Sequence, residues 1–187
     1  MKMKAMKKTA MVMAAAMMAT ASCAVTASAC PDEYGSTPVY MYYSTSLMDY
    51  LLTSSSEESE QLDFDYWNGT GTYEYYDTLG YAEDYPDATS VPVYRFWNKE
   101  TCDHFYTMSE AEKDAVINDF ETGQDGYMFE GVAFYVPEYG CTPVYRFFDD
   151  ETFTHLYTTD EYDKETMEED YQNGWGNWRY EGVAWYF

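Results

Sequence analysis

Alternating apolar and polar positions recur in short blocks along the chain, and each block predicts one secondary-structure element. The segment PVYRFW at 92–97 alternates and is rich in β-formers, so it predicts a strand that begins at a proline. After a polar turn, DHFYT at 103–107 predicts the returning strand of a hairpin. Ser109 and Glu112 form a capping box, which predicts the start of a helix. YMFEGVAFYV at 127–136 predicts a last strand, so this part of the chain reads β-β-α-β.

The same order of blocks occurs three times. A PVY segment begins at Pro38, Pro92 and Pro143, at intervals of 54 and 51 residues. Gly80 and Gly131 each lie twelve residues before the next of these prolines, which aligns the closing blocks. The predicted repeats cover about 37–90, 91–141 and 142–187. We therefore expect a mainly β (α+β) fold in which three β-β-α-β repeats close around a pseudo-threefold axis, β-trefoil-like or as a small propeller-like ring.

These blocks resemble an uncharacterised domain family. Units that read PVYRF, HFYT and YEGVAFY in this order are similar to a repeat domain of secreted bacterial and fungal proteins, often appended to cell-wall hydrolases and lipases. The resemblance covers residues 91–187 in two units and extends less closely to 37–90. It implies an accessory module that binds a ligand or attaches to a surface, and it brings no established activity with it.

Residues 1–29 have the pattern of a secretory signal peptide. Four lysines precede a short apolar run, and ASA at 27–29 is a small-residue cleavage site. The apolar run is shorter than the roughly 20 residues of a membrane-spanning helix. We therefore expect residues 30–187 to form a single secreted domain, either free or attached to the cell envelope. A lipoprotein variant at Cys23 or Cys30 is an alternative, although neither has the usual leucine three residues upstream.

Charge and composition narrow the range of partners. All 34 acidic residues lie after residue 29, where only six of the ten basic residues remain. So acidic a domain is unsuited to nucleic acid or to an anionic membrane surface, because phosphate groups are bound by lysine and arginine. With 22 Tyr, 10 Phe and 5 Trp, the chain also lacks the low hydrophobicity that is typical of disorder. These properties indicate a folded extracellular protein without a membrane-spanning segment.

The triplet Cys102-Asp103-His104 could be a nucleophile beside its base, but the repeat argues against this. The third unit has Phe153 at the place of Cys102, and a phenyl ring cannot replace a catalytic thiol. Three cysteines follow the expected cleavage site, and an odd number outside the cell indicates one disulfide and a further thiol. The disulfide candidates are Cys30, Cys102 and Cys141, in a pairing that stays open. Cys102 is expected to be half of a disulfide.

Three polar positions are shared by the second and third units. They are occupied by Arg95 and Arg146, His104 and His155, and Glu130 and Glu181. In the sequence alignment, the first unit has Met41, Tyr50 and Leu79 at these positions. Their joint loss predicts that the three side chains contact one another, because losing one partner of a buried pair costs about 3–5 kcal/mol whereas exchanging the set costs little. We favour a structural network; the alternative is a pocket in which Arg, His and Glu bind sugar hydroxyls or a carboxylate.

No motif in the chain predicts catalysis or metal binding. The two histidines are the first candidates for a base near neutral pH, yet the chain has no G-x-S-x-G, H-E-x-x-H or C-x-x-C spacing. Acidic turns such as Asp149-Asp150-Glu151 lack the pattern of a calcium loop and are expected to be solvated. We predict no cofactor and no metal, and keep an extracellular hydrolase as a second alternative function.

Tryptophans outside the strand pattern are the best candidates for sugar binding. Trp67, Trp175 and Trp178 lie in Gly/Asn-rich segments before the last strand of a unit, where a ring can stack on a sugar or fasten the helix end to the strand. Together with the resemblance, they indicate a secreted non-catalytic module that binds a carbohydrate or cell-wall polymer. The first alternative is a structural or surface-display protein without a small ligand. The shared Arg, His and Glu residues complete the set of ligand-binding candidates.

Overall fold

A computed structural model describes residues 35–187, which form nine strands and three helices in the order β-β-α-β, three times over. The first unit contains β1 (Thr37–Ser44), β2 (Asp49–Thr53), α1 (Ser56–Trp67) and β3 (Glu74–Ala82). The second contains β4 (Ser90–Asn98), β5 (Asp103–Thr107), α2 (Glu110–Thr122) and β6 (Tyr127–Pro137). The third contains β7 (Pro143–Asp149), β8 (His155–Thr158), α3 (Glu161–Asn173) and β9 (Trp178–Tyr186). The expected signal peptide, Cys23 and Cys30 lie outside the described residues.

Each unit forms its own antiparallel sheet with its first strand in the centre. The strand orders are β2-β1-β3, β5-β4-β6 and β8-β7-β9. The mainly β fold with short helices is therefore confirmed. Within residues 35–187 the strands form three separate sheets and no closed barrel, so β-trefoil-like closure is wrong. The physical reason is that the outer strands of each sheet hydrogen-bond only to their own central strand in this part of the chain.

The three sheets share one hydrophobic core. A single buried cluster takes side chains from every sheet, including Leu52 of β2, Tyr106 of β5 and Tyr157 of β8. The second strand of each unit contacts the second strands of the other two. Phe187 joins this cluster and packs against Gly80, where any side chain would collide because its Cβ would lie 2.2 Å from the Phe187 ring. The last residue of the chain thus packs against the first sheet.

The pairing of the first and last strand of each unit corrects the sequence alignment. Two register shifts occur at equivalent places in all three sheets. In each sheet the valine of the PVY segment has one partner on the last strand of the unit. The partner is Gly80 in the first unit, Phe134 in the second and Trp185 in the third. Gly80 therefore corresponds to Phe134 and Trp185, whereas the spacing to the next proline had matched it with Gly131.

This register shift changes which residue replaces the shared glutamate. Glu130, Glu181 and Tyr76 are each the unpaired residue at the second register shift of their sheet. Tyr76 therefore occupies the glutamate position, and the expectation that Leu79 occupies it is wrong. The alignment failed because the link after β3 is longer: Pro92 follows Ala82 by ten residues, whereas Pro143 follows the equivalent Val136 by seven.

The hairpin turns explain why a cysteine and a phenylalanine are interchangeable. Met48, Cys102 and Phe153 end the three turns in the left-handed conformation, with φ of 61°, 57° and 63°. Their shared role is therefore a backbone conformation, which depends little on the side chain. Cys102 is a free thiol, which corrects the expectation that it forms half of a disulfide. Cys141 has a partner of its own and is not free.

The three helices start in the same way, which places an acidic residue at a fixed point in each. Ser55, Ser109 and Asp160 are the N-caps, and each accepts a hydrogen bond from the backbone N–H three residues further on. These third residues are Glu58, Glu112 and Asp163. An acid in the first turn is favoured by the helix dipole. Each unit therefore has a carboxylate at the equivalent place in the first turn of its helix.

Candidate functional site

A buried aspartate of the second unit binds a histidine of the third. The backbone N–H of His155 donates to Oδ1 of Asp103 over 2.7 Å, and its Nδ1 lies 2.6 Å from Oδ2. Tyr127 donates its hydroxyl to the same carboxylate. Burial and the charge of Asp103 raise the pKa of the Tyr127 phenol, which keeps it protonated as a donor. Both Asp103 and His155 are buried, so this contact belongs to the interior.

An arginine completes the contact between the second and third units. Arg146 donates from both terminal nitrogens to Glu112 of α2, over 3.1 and 3.0 Å, while its Nε lies 2.9 Å from Oε2 of Glu181. Burial alone would raise the pKa of the Glu112 carboxyl. The charge and hydrogen bonds of Arg146 outweigh burial and hold that pKa below its ordinary value of 4.5. The bidentate geometry gives two charge-assisted hydrogen bonds, which are stronger than hydrogen bonds between neutral groups.

The first and second units meet through the same set of contacts, with looser geometry. Nδ1 of His104 lies 2.6 Å from Oδ2 of Asp49. Arg95 lies 2.9 Å from Glu58 of α1 and 2.8 Å from Glu130 of β6, but uses one nitrogen for each. The Arg95 side chain is 20% exposed, compared with 13% for its counterpart Arg146. This network therefore has the same plan and one hydrogen bond fewer to the helix glutamate.

A tyrosine hydroxyl ties the second strands together at both junctions. The Tyr157 hydroxyl accepts from the backbone N–H of Tyr106 over 2.8 Å and donates to its carbonyl over 3.1 Å. Tyr106 makes the same pair of bonds to the backbone of Leu52, over 2.8 and 3.0 Å. The second and third units thus each satisfy both backbone polar groups of one residue in the unit before them.

The predicted contact among the shared arginine, glutamate and histidine is confirmed at both places. Nε2 of His104 lies 4.0 Å from Glu130, and Nε2 of His155 lies 3.7 Å from Glu181. Because each arginine binds a helix glutamate of the preceding unit through one or both terminal nitrogens, and each histidine binds an aspartate of that unit, these networks join units to one another. Their role in ligand binding stays a prediction, and the geometry supports the structural interpretation.

The junction between the third and first units has lost the whole set. Met41, Tyr50 and Tyr76 stand at the arginine, histidine and glutamate positions. The third unit has Thr154 where Asp49 and Asp103 lie in the others, and the first unit has Leu52 in place of the bridging tyrosine. The helix acid alone remains. Asp163 of α3 corresponds to Glu58 and Glu112, and within residues 35–187 no basic side chain pairs with it.

A cleft of about 400 Å³ opens at this junction. One wall comes from the first unit and the other from β8 and α3. The first wall consists of Met41, Tyr50, Tyr76, Asp77, Thr78 and Leu79. The second consists of Leu156, Tyr157, Thr158, Thr159, Asp160, Asp163 and Met167. The cleft therefore lies where the other two junctions are filled by arginine, histidine and glutamate.

The cleft combines aromatic, hydroxyl and carboxylate groups. The rings of Tyr50 and Tyr76 meet edge to face at a centroid distance of 5.8 Å, and the Tyr76 ring is 60% exposed. Burial and the neighbouring tyrosines raise the pKa of Tyr50, so its phenol remains a neutral donor. The described residues that line the cleft include three aspartates and no lysine, arginine or histidine. Such a lining can donate and accept hydrogen bonds and attracts positive charge.

The three predicted tryptophan sites are dispersed and lie outside the cleft lining. Trp67 and Trp175 are 82% and 76% exposed, at the C-terminal ends of α1 and α3. Trp178 is half-buried and pairs with Asp149 at the start of β9. Sequence reasoning missed Tyr76 and Asp163. The position of Asp163 three residues after an N-cap, shared with two glutamates, was a signal that could have found it.

The described residues offer no metal site and no membrane-spanning helix. In the range 35–187 no group of three or more His, Cys, Asp or Glu side chains is arranged to hold a metal ion. The acidic turn at Asp149 is used internally, because its Oδ1 accepts the backbone N–H groups of Glu151 and Thr152. None of α1, α2 and α3 is long and apolar enough to cross a membrane.

Comparison with known proteins gives a family and no function. A family model described as a domain of unknown function, DUF5648, matches residues 13–121 and, in a second match, residues 38–187. The two matches overlap, as matches to a repeated unit do, and the second covers most of the chain. No curated protein and no solved structure matches the chain.

Proposed function

This chain belongs to the DUF5648 family, and we propose that it is a secreted, non-catalytic module that binds an extracellular glycan or cell-wall polymer in the cleft between its third and first units. The signal-peptide pattern of residues 1–29 supports secretion. The observation that carries the proposal is the cleft itself, which opens at the one junction between described units from which the polar network is missing.

The lining of the cleft supports a sugar as the ligand. Glycans present many hydroxyl groups and an apolar ring face, and are bound by carboxylates and hydroxyls together with an aromatic side chain. The cleft has the exposed ring of Tyr76, the hydroxyls of Thr78, Thr158 and Thr159, and three carboxylates. Trp67 and Trp175 are exposed but lie outside the cleft lining, so we keep them as separate candidate contacts for a long polymer.

We also propose that the three units are repeats arranged around a pseudo-threefold axis, in a small propeller-like ring. The repeated element order, the shared turn and cap positions, and the mutual contacts of β2, β5 and β8 support this arrangement. In such a ring the third and first units meet without a chain link between them. That junction would then be the natural place for a binding cleft.

Retention on insoluble polymers tests the proposal. The protein, expressed from its full sequence and purified after export, is mixed with peptidoglycan and a panel of insoluble polysaccharides, and its loss from the supernatant is measured. We expect retention that a soluble sugar of the same kind competes away. Tyr76→Ala should abolish it, while Tyr162→Ala, which removes a 75% exposed ring outside the cleft, should retain it.

Two results would contradict the proposal. Retention on none of the polymers would favour the structural or surface-display protein, in which the units serve only as scaffold. Retention that survives Tyr76→Ala but is lost in Trp175→Ala would place the binding surface at the end of α3 and not in the cleft. Circular dichroism of each variant checks that the fold is intact.

A further inference from the structure

We propose that the cleft takes a protonated amine, and that its ligand is a glycan whose sugars carry free amino groups. This inference rests on the proposed function and specifies its substrate class. Glucosamine-type sugars without the acetyl group have the required chemistry, since they carry an ammonium group on a ring with several hydroxyls.

The other two junctions show what the helix acid binds. Glu58 lies 2.9 Å from a nitrogen of Arg95, and both carboxylate oxygens of Glu112 bind Arg146. Asp163 has the same place in the third helix, but Met41 replaces the arginine that would reach it. The first unit thus has an apolar side chain where a cation is held elsewhere. A cation supplied from outside would restore the contact that the other two junctions make internally.

The charges around Asp163 favour a cation, because no basic side chain of residues 35–187 pairs with the three cleft aspartates, although Asp160 also caps α3 by accepting the backbone N–H groups of Tyr162 and Asp163. Asp160 and Asp77 line the same cleft, and none of its described lining residues is basic. Lys164 is the residue next to Asp163, but its ammonium lies 2.8 Å from Glu168 and is close to the rings of Tyr145 and Tyr180. The chain as a whole has a net charge of −24, which attracts a polycation over a longer range.

The remaining lining distinguishes an amino sugar from a basic peptide. A lysine or arginine side chain would use only the carboxylates of a lining that also includes the hydroxyls of Thr78, Thr158 and Thr159. Thr78 and Thr158 already bond to the hydroxyl of Tyr75 and to the backbone N–H of Asp160, but each hydroxyl has the capacity for a further bond. A sugar that places its ammonium at Asp163 can also hydrogen-bond to these hydroxyls and stack its ring on Tyr76. The amino sugar is therefore the ligand that uses every kind of group the cleft offers.

Calorimetric titration with two matched oligosaccharides tests the inference. The full chain is titrated with a glucosamine hexamer and with its fully N-acetylated counterpart, which has the same rings without the charge. We expect the free-amine hexamer to bind at least about tenfold more tightly, because a hydrogen bond to a charged group contributes that much or more. Asp163→Asn should remove the difference. Glu169→Gln, an equal change of charge on the exposed part of α3 outside the cleft, should preserve it.

A variant that fills the cleft provides a second, independent test. Met41→Arg places a guanidinium where the other two units have one, in the wall that faces Asp163. Because Tyr76 stands in place of the second glutamate, circular dichroism first checks that this variant is folded. Binding of the free-amine hexamer should then fall by about tenfold or more, because the internal cation occupies the carboxylate. Met41→Leu, which keeps the position apolar, should bind like the unmodified protein.

The failures of the two proposals give different results. Equal binding of both hexamers, sensitive to Tyr76→Ala, would overturn the amino-sugar inference and leave glycan binding intact. Binding of neither hexamer, together with no retention on any polymer, would overturn both. Binding of oligolysine as tight as that of the free-amine hexamer, and equally sensitive to Asp163→Asn, would overturn the glycan assignment. Equal weakening by Asp163→Asn and Glu169→Gln would reduce the effect to unspecific charge attraction and would also overturn the inference.

Discussion

The junction between the second and third units and the junction between the third and first are built on the same frame and filled in opposite ways. The units at both junctions have the same strand order and a left-handed residue at the same place of the hairpin turn. Both junctions also have a capped helix with an acid three residues after the N-cap. The junction between the second and third units is closed by Arg146, Glu181 and His155. The junction between the third and first units has Met41, Tyr76 and Tyr50 instead and contains an open cleft. The frame therefore does not depend on the polar network.

The comparison also shows why the polar residues are lost together. An arginine in this position needs two glutamates, and the histidine needs its aspartate, because each would otherwise be an unpaired polar group in the interior. Replacing the whole set leaves apolar and aromatic side chains, which need no charged partner. We therefore expect the complete exchange to cost less stability than the sum of its single changes.

The largest expected effect comes from removing one member of the closed network. Asp103→Ala leaves His155 and the hydroxyl of Tyr127 buried without their acceptor, so the free energy of unfolding should fall by about 3–5 kcal/mol. Thr154→Ala, at the equivalent place of the open junction, should cost less than about 1 kcal/mol, since its hydroxyl bonds only to that of Thr152. Urea denaturation of both variants measures the difference. Equal losses would show that the two junctions do not differ as we describe.

Exchanging the complete set should cost much less than its parts. The variant Asp103→Thr, Arg146→Met, His155→Tyr and Glu181→Tyr gives the junction between the second and third units the four corresponding residues of the open junction. We expect it to fold and to lose at least about 3 kcal/mol less than the sum of the four single variants, because it leaves fewer unpaired buried charges. Denaturation of all five proteins tests this. Additive losses would mean that the four residues do not act as one network.

Local features of the fold could be predicted from the sequence, because each depends on residues close together in the chain. The strands at PVYRFW and DHFYT, and the helix start at Ser109, need only alternation and one cap. The contacts of the shared arginines, histidines and glutamates could also be predicted, because the units vary at these positions together.

The contacts between units could not be predicted in this way. Asp103 and His104 are neighbours in the sequence, yet Asp103 binds His155, 52 residues further on, and His104 binds Asp49 of the unit before. The register of β3 was missed because its extra residues lie in the following link and leave no mark in the strand. The cleft depends on both of these features, so it became visible only in the structure.

The ion pair of the closed junction makes a pH-dependent contribution that the open junction lacks. Because Arg146 holds the pKa of Glu112 below its ordinary 4.5, the pair stabilises the fold above that pH, and the contribution is lost as the pH falls through the lowered pKa. Glu112→Gln should therefore cost about 1–2 kcal/mol at pH 7 and nothing at the acid end of the range. Asp163→Asn should change stability by less than about 0.5 kcal/mol. Urea denaturation at several pH values tests both, and a loss for Glu112→Gln that stays constant with pH would contradict the linkage.

The smallest effect should come from the turn that all three units share. Cys102 has φ of 57°, a conformation that glycine adopts without strain and a β-branched residue adopts poorly. Its thiol makes only a long contact of 3.8 Å with the carbonyl of Lys99. Cys102→Gly should therefore raise the free energy of unfolding by up to about 1 kcal/mol, and Cys102→Val should lower it by a similar amount. The proposed glycan binding should be unchanged in both, because the turn belongs to the frame of the closed and the open junctions alike. Loss of binding in Cys102→Gly at undiminished stability would instead give the thiol a role that Phe153 cannot share.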